Sequence, residues 1–232
     1  MSSISWLDTS ASDERRMREI VRLFSDVSTL DDLGIGQVRD GLGDLMFPGT
    51  STLHTRPRYF AIIPWIFQRA AKKSTGTELV SKARLEERKL IEVLRTPPAV
   101  DGMIGKVAGK AVRVLPSQIY WSALQRYGIL CDPKSYTWDV PVSPPPGFPG
   151  SLDSGLDMTE DEAQWFRERI LMTCPGSYLA HLFADGLDED PADAALPWTH
   201  SAVARASDDI RSVVEHARLF SLTINGAALI YN

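Results

Sequence analysis

Apolar residues recur at helical spacing along most of this chain. In "SISWLD", Ile4 and Trp6 alternate with polar residues, which suits a short strand or a pinned extended segment. Met17, Ile20, Val21 and Phe24 then share one face of a helix expected at about 13–25, with Ser12 as its cap and Asp13 and Glu14 in its first turn. Val38, Leu42, Leu45 and Met46 mark a second helix, which Pro48-Gly49 stops. Phe60, Ile63, Trp65, Ile66 and Phe67 make a third, strongly apolar helix whose Pro64 should kink it or set its true start. A long amphipathic helix follows from Thr77 and Glu78 to about Arg95, closed by "TPP".

The stretch from Pro97 to Val140 adds a more specific pattern. "GMIGKVAGKAV" reads as a short helix, "RVLP" as a turn, and "SQIYWSALQRYG" as a helix capped by Ser117 and ended by Gly128, which is the helix-turn-helix order. "ILC", "DPKS" and "YTWDV" then carry the chemistry of a β-hairpin. With the preceding long helix this is the order of a winged helix. "VPVSPPPGFPGSLDSG" suits an extended linker or surface strap. Beyond it, Thr159 and Glu162 form a capping-box pattern, "PGSYLAHLF" suits a short helix and "DGLDEDPADAALPW" an acidic loop. Ser207 caps a last helix with Ile210, Val213, Val214, Ala217, Phe220 and Ile224 on its inner face. The expected fold is mainly α, a helical bundle with a winged-helix-like middle. Its expected divisions are an N-terminal helical segment over 1–76, a winged-helix-like segment over 77–140, a linker over 141–157 and an acidic helical segment over 158–232.

Charge refines this division. The net charge of −5 conceals a segregation, with −4 over residues 1–55, +8 over 56–140 and −9 over 141–232. A basic middle flanked by acidic ends suits a nucleic-acid surface or a pairing of opposite fields within or between subunits. With 44% hydrophobic and 24% charged residues the composition is that of a globular protein of one large or two small domains. No run approaches the roughly 18 uninterrupted apolar residues of a membrane span. The N-terminus matches no targeting signal, so the expected location is cytoplasmic and no membrane partner is expected. Cys131 and Cys174 lack a CxxC partner and are expected to be free thiols.

Reactive motifs fail on spacing. "GMIGKVAGKA" has Ala111 where a phosphate-binding loop needs Ser or Thr after its Lys, and "GIG" at 34–36 is too short for a dinucleotide fingerprint. Glu87 and Lys89 form the E-x-K pair of some metal-dependent nucleases, but on an amphipathic helix, where a solvated face is the plainer expectation. The four histidines make no HxxxH or HxH pair, and Pro175-Gly176 separates Cys174 from His181. No catalytic residue, cofactor or metal is expected.

Two groups of residues remain. The corner "FPGTSTLHTRPRYFAIIPW" offers the hydroxyls of Thr50, Ser51, Thr52 and Thr55 and the charges of Arg56 and Arg58 to an anion near a helix N-terminus. Alternatively the hydroxyls brace a tight turn while the arginines pair with Asp40 or Asp44. In the helix-turn-helix candidate, Gln118 and the exposed positions of "SQIYWSALQRYG" would face the major groove of DNA with Lys106, Lys110, Arg113, Arg126 and Lys134 on phosphates, or the same surface would be structural or contact protein.

The runs "DDLGIGQVRDGLGDLMFPGTSTLHTRPRYFAIIPWIFQ", "GMIGKVAGKAVRVLPSQIYWSALQRYGI" and "LPWTHSAVARASDDIRSVVEHARLFSLTINGAALIYN" resemble a bacterial family described as a domain of unknown function, through its FPGTS, TRxRY and PSxIYW motifs. The resemblance covers nearly the whole chain. It implies continuation past the last helix, which ends without a cap, and a loose association with genome-defence neighbourhoods. It supplies no activity and no catalytic residue. The expected role is a non-enzymatic DNA-associated or adaptor component of a bacterial system. The alternatives are a nuclease or other enzyme subunit completed by further sequence or a partner chain, and a pure protein-interaction module. DNA, and a protein partner or second copy bound through the apolar C-terminal helix, are the expected partners.

Overall fold

A computed structural model gives the fold and describes residues 34–95, 101–152, 154–185 and 196–231. The segment around Trp6, the helix expected at 13–25 and most of the acidic loop lie outside the described residues. The chain divides into two compact units, Met1–Gly41 and Leu42–Asn232, and the boundary falls inside helix α1, Ile35–Met46. The second unit carries α2 (Tyr59–Ala71), α3 (Gly76–Leu94), α4 (Pro116–Arg126), the strands β1 (Leu130–Asp132) and β2 (Thr137–Trp138), then α5 (Glu160–Thr173), α6 (Tyr178–Asp185) and α7 (Asp208–Tyr231). Among the described residues the chain is mainly helical with one two-stranded antiparallel sheet.

Helix α2 sits at the centre because it has no polar face over most of its length. Every residue from Tyr59 to Phe67 is buried, and a helix apolar all round must be covered all round. Leu79, Ala83, Leu90 and Ile91 of α3 and Tyr120, Ala123 and Leu124 of α4 belong to the same core. Tyr136 and Trp138 of the hairpin close over Phe67, with ring centroids 5.6 and 5.4 Å away. Pro64 sets neither boundary, since the helix begins at Tyr59 and runs through it.

The proline-rich stretch is a strap across this core. Trp65 Nε1 donates to Val142 O at 2.7 Å, Phe148 packs edge-on against Trp65, and Leu156 is buried. Beyond it, the Thr159 hydroxyl accepts from Glu162 N at 3.3 Å while Thr159 N donates to Glu162 Oε2 at 3.1 Å, the reciprocal cap its spacing predicts. A smaller cluster of Met46, Tyr178, Ala206, Ile210 and Val214 underlies the first half of α7.

Three expectations need correction. The short helix expected at "GMIGKVAGKAV" is a run of turns ending in a single 3-10 turn, Gly109–Ala111. Gly102, Gly105 and Gly109 all take positive φ (74°, 81° and 55°), which a right-handed helix forbids, and a Cβ on Gly105 would meet Ile91 Cγ2 at 3.0 Å. Helix α4 begins one residue before Ser117, with Pro116 first and Leu115 at the cap position. The inner face of α7 stops near Ala217, because Leu219, Leu222 and Ile224 are exposed. No helix among the described residues is long and apolar enough to cross a membrane.

Candidate functional site

The corner between α1 and α2 turns its hydroxyls toward backbone. Thr50 Oγ1 donates to Phe47 O at 2.8 Å, Ser51 Oγ accepts from Leu53 N at 3.3 Å, and Thr55 Oγ1 donates to Gly102 O. His54 ties the corner to α4: Nε2 donates to Ile119 O at 3.1 Å, Nδ1 accepts from Ser51 N at 3.2 Å, and the ring lies 4.4 Å from that of Tyr120. Burial lowers the His54 pKa against the opposing pull of the Ile119 bond, so the ring stays neutral with both nitrogens engaged. It has no lone pair left for proton transfer.

The two arginines divide. Arg56 donates from Nε to Asp101 O at 2.7 Å and lies 3.5 Å from Asp157 at the rim. Arg58 is only 1% exposed, with Glu162 oxygens at 2.9 and 3.0 Å and Gly155 O at 2.8 Å. Their acids thus come from the strap and from α5, about a hundred residues later, and not from the expected Asp40 or Asp44. Of the six residues expected to face an anion, Thr50 and Ser51 line an open polar cleft of about 420 Å³ together with Asp44, His54, Ser122 and Arg126. Thr52 and Thr55 are exposed outside that lining, and Arg58 is turned into the core.

Helix α4 presents a polar ridge beside this cleft. Gln118, Ser122, Gln125 and Arg126 are its exposed residues, while Tyr120, Ala123 and Leu124 are buried. Spacings of three and four place the exposed four on one face. On its other flank lies a second cleft of about 340 Å³, walled by Phe67, Trp121 and Tyr136 with Arg84, Ser117 and Gln118. The other expected DNA contacts are dispersed. Lys106 pairs with Asp101 in the glycine-rich turns, Lys110 and Arg113 are exposed after them, and Lys134 lies in the hairpin turn, where Asp132 accepts from its backbone N–H.

The start of α4 already holds a carboxyl group, and it is the chain's own. Glu87 is 2% exposed; its Oε1 accepts from Ser117 N and its Oε2 from Ser117 Oγ, both at 2.8 Å. Burial pushes the Glu87 carboxyl up to about 7, against the lowering effect of the two Ser117 bonds and of Arg84 and Arg88. This overturns the expectation of a solvated face at Glu87. Lys89 is exposed, so Glu87 and Lys89 lie on opposite sides of α3 and form no joint site. Among the described residues no group of His, Cys, Asp and Glu could hold a metal ion. The residues missed in sequence are Arg84 and Tyr136, whereas Ser122 and Gln125 are among the exposed positions of the helix expected to face a groove.

The arrangement is that of a mainly helical protein whose α4 carries a polar ridge between two clefts. The chain belongs to the family of unknown function DUF6361, whose family model matches residues 1–147. That match takes in α2 to α4, the hairpin and every residue lining the two clefts beside α4. No curated protein and no solved structure matches the chain.

Proposed function

We propose that this chain is a non-enzymatic, DNA-associated component of a bacterial system, with α4 as the helix that meets the major groove. The observation that carries the reading is the exposed ridge of Gln118, Ser122, Gln125 and Arg126, whose amides, hydroxyl and guanidinium are the groups that read base edges and hold phosphates. The order α2, α3, α4, β1, β2 supports it, since three helices followed by a hairpin is the order of a winged helix with α4 in the recognition position. Lys134 in the turn then takes the place of a wing contact. The link to genome defence rests on the family resemblance alone.

Titration of the full chain with duplex DNA at rising salt tests the reading. Binding should weaken with a log–log slope of about −0.9 per phosphate neutralised. Gln125→Ala/Arg126→Ala, both at exposed positions, should weaken it by roughly tenfold or more without lowering the melting temperature. A folded chain that binds no duplex at low salt would remove the proposal. A second reading, association through α7, is favoured by the exposure of Leu219, Leu222 and Ile224. Light scattering tests it, with Leu222→Glu expected to lower the apparent mass if it holds.

A further inference from the structure

The cleft on the far flank of α4 has an aromatic wall and a guanidinium that the ridge does not use. Phe67, Trp121 and Tyr136 form its wall, their ring centroids 5.6 to 6.0 Å apart. Phe67 is buried beneath, whereas Trp121 and Tyr136 are only half-buried and keep part of each ring in the opening. Tyr136 is held there by the hairpin turn at φ 54°, a conformation that bulky side chains rarely adopt.

The cleft offers two nitrogen donor groups, Arg84 and Gln118. Arg84 is exposed and makes no hydrogen bond or ion pair among the described residues. Gln118 accepts from Leu115 N through Oε1 at 3.0 Å, which leaves its amide N–H groups for a ligand. No carboxylate lines the cleft, because Glu87 lies behind Ser117. Aromatic faces beside an exposed guanidinium and an amide donor complement a planar ring that carries an anion. At about 340 Å³ the cleft is at the small end of ligand pockets, which run from roughly 300 to 1,000 Å³, so it holds one unit and not a run of them.

We infer that this cleft binds a single nucleotide, with its base against Trp121 and Tyr136 and its phosphate on Arg84. The source is either a free mononucleotide or one unstacked residue of a single strand. Neither requires α4 to enter a duplex groove, so the inference stands apart from the reading above.

Tryptophan emission of the full chain, followed during titration with AMP, dTMP and a short oligothymidylate, tests it. Adenosine, inorganic phosphate and benzoate serve as partial ligands. Saturable binding of a nucleotide is expected, with adenosine weaker by about tenfold for want of the charge-assisted bond. Arg84→Ala should bring AMP down to the affinity of adenosine, and Trp121→Phe should abolish the emission change, while melting shows both variants folded. Oligothymidylate binding more tightly than dTMP with the same dependence on Arg84 assigns the site to a strand; equal or weaker binding assigns it to the free nucleotide. No saturable binding from either source, benzoate equal to AMP, or Arg84→Ala without effect would each overturn the inference.

Discussion

Glu87 and Glu162 each sit against a helix start and are about 2% exposed; Glu87 accepts from the backbone N–H and hydroxyl of Ser117, Glu162 from the backbone N–H of Thr159 and from Arg58. Their surroundings differ in one respect. Glu162 faces the Arg58 guanidinium at 2.9 and 3.0 Å, whereas no cation among the described residues lies within ion-pair distance of Glu87. The Arg58–Glu162 pair fixes the strap and α5 to the start of α2. A buried carboxylate without a cation in direct contact is pushed toward neutrality, so burial raises the Glu87 carboxyl to about 7 even with Arg84 and Arg88 nearby. One helix start is a clamp and the other responds to pH, although nothing in either glutamate's own type distinguishes them.

Removing one partner of the clamp should produce the largest effect. Arg58→Met leaves Glu162 buried without its cation and should cost about 3–5 kcal/mol in urea unfolding. Adding Glu162→Gln should recover part of that loss, and a single-variant loss below about 1 kcal/mol would erase the contrast with Glu87.

The next largest effect concerns pH. Between its ordinary value of 4.5 and about 7, the folded chain keeps a proton on Glu87 that the unfolded chain has released. The unfolded state then binds fewer protons, so this group makes stability fall as pH rises through that window. The shift sets a ceiling of about 3 kcal/mol. Subtracting the stability profile of Glu87→Gln from that of the unmodified chain isolates the contribution. Identical slopes for the two proteins would show that Glu87 is as well satisfied as Glu162.

Ser117→Ala sharpens the same point on a smaller scale. It removes the hydroxyl bond to Glu87 and keeps the backbone one, for an expected loss of about 1 kcal/mol that grows above pH 7, where the carboxylate is charged. Leu222→Glu provides the baseline. It is 54% exposed on α7 beyond the covered face, so thermal melting should register a change within about 0.5 kcal/mol. A larger loss would mean that α7 is covered where it stands open.

Much of the fold was legible because its signals act over a few residues. Thr159 and Glu162 sit three apart, the spacing a reciprocal cap requires, and the structure has that cap. "DPKS" between apolar runs gave the hairpin, and the unbroken apolar character of α2 gave its central burial. The glycines at 102, 105 and 109 were visible too, but lysines and small residues at helical spacing read as a short helix until their positive φ angles showed otherwise.

The candidate site was less legible. Gln118 and Arg126 share the exposed ridge because helix periodicity alone sets their common face, eight residues apart. Arg84 reached the aromatic cleft only because the hairpin folds back over α2 and brings Tyr136 to the same opening.

By itself, then, the sequence determined the local elements: the helices with their periodic faces, the cap at Thr159, the hairpin turn and the polar face of α4. Only the tertiary structure decided the pairings, because Arg58 finds Glu162 across 104 residues and Glu87 finds Ser117 across 30. A cap or a periodic face is fixed by atoms within a turn or two of each other. Whether a charge is buried, and what meets it there, depends on which distant segments exclude water around it, and that exclusion exists only once the core has closed.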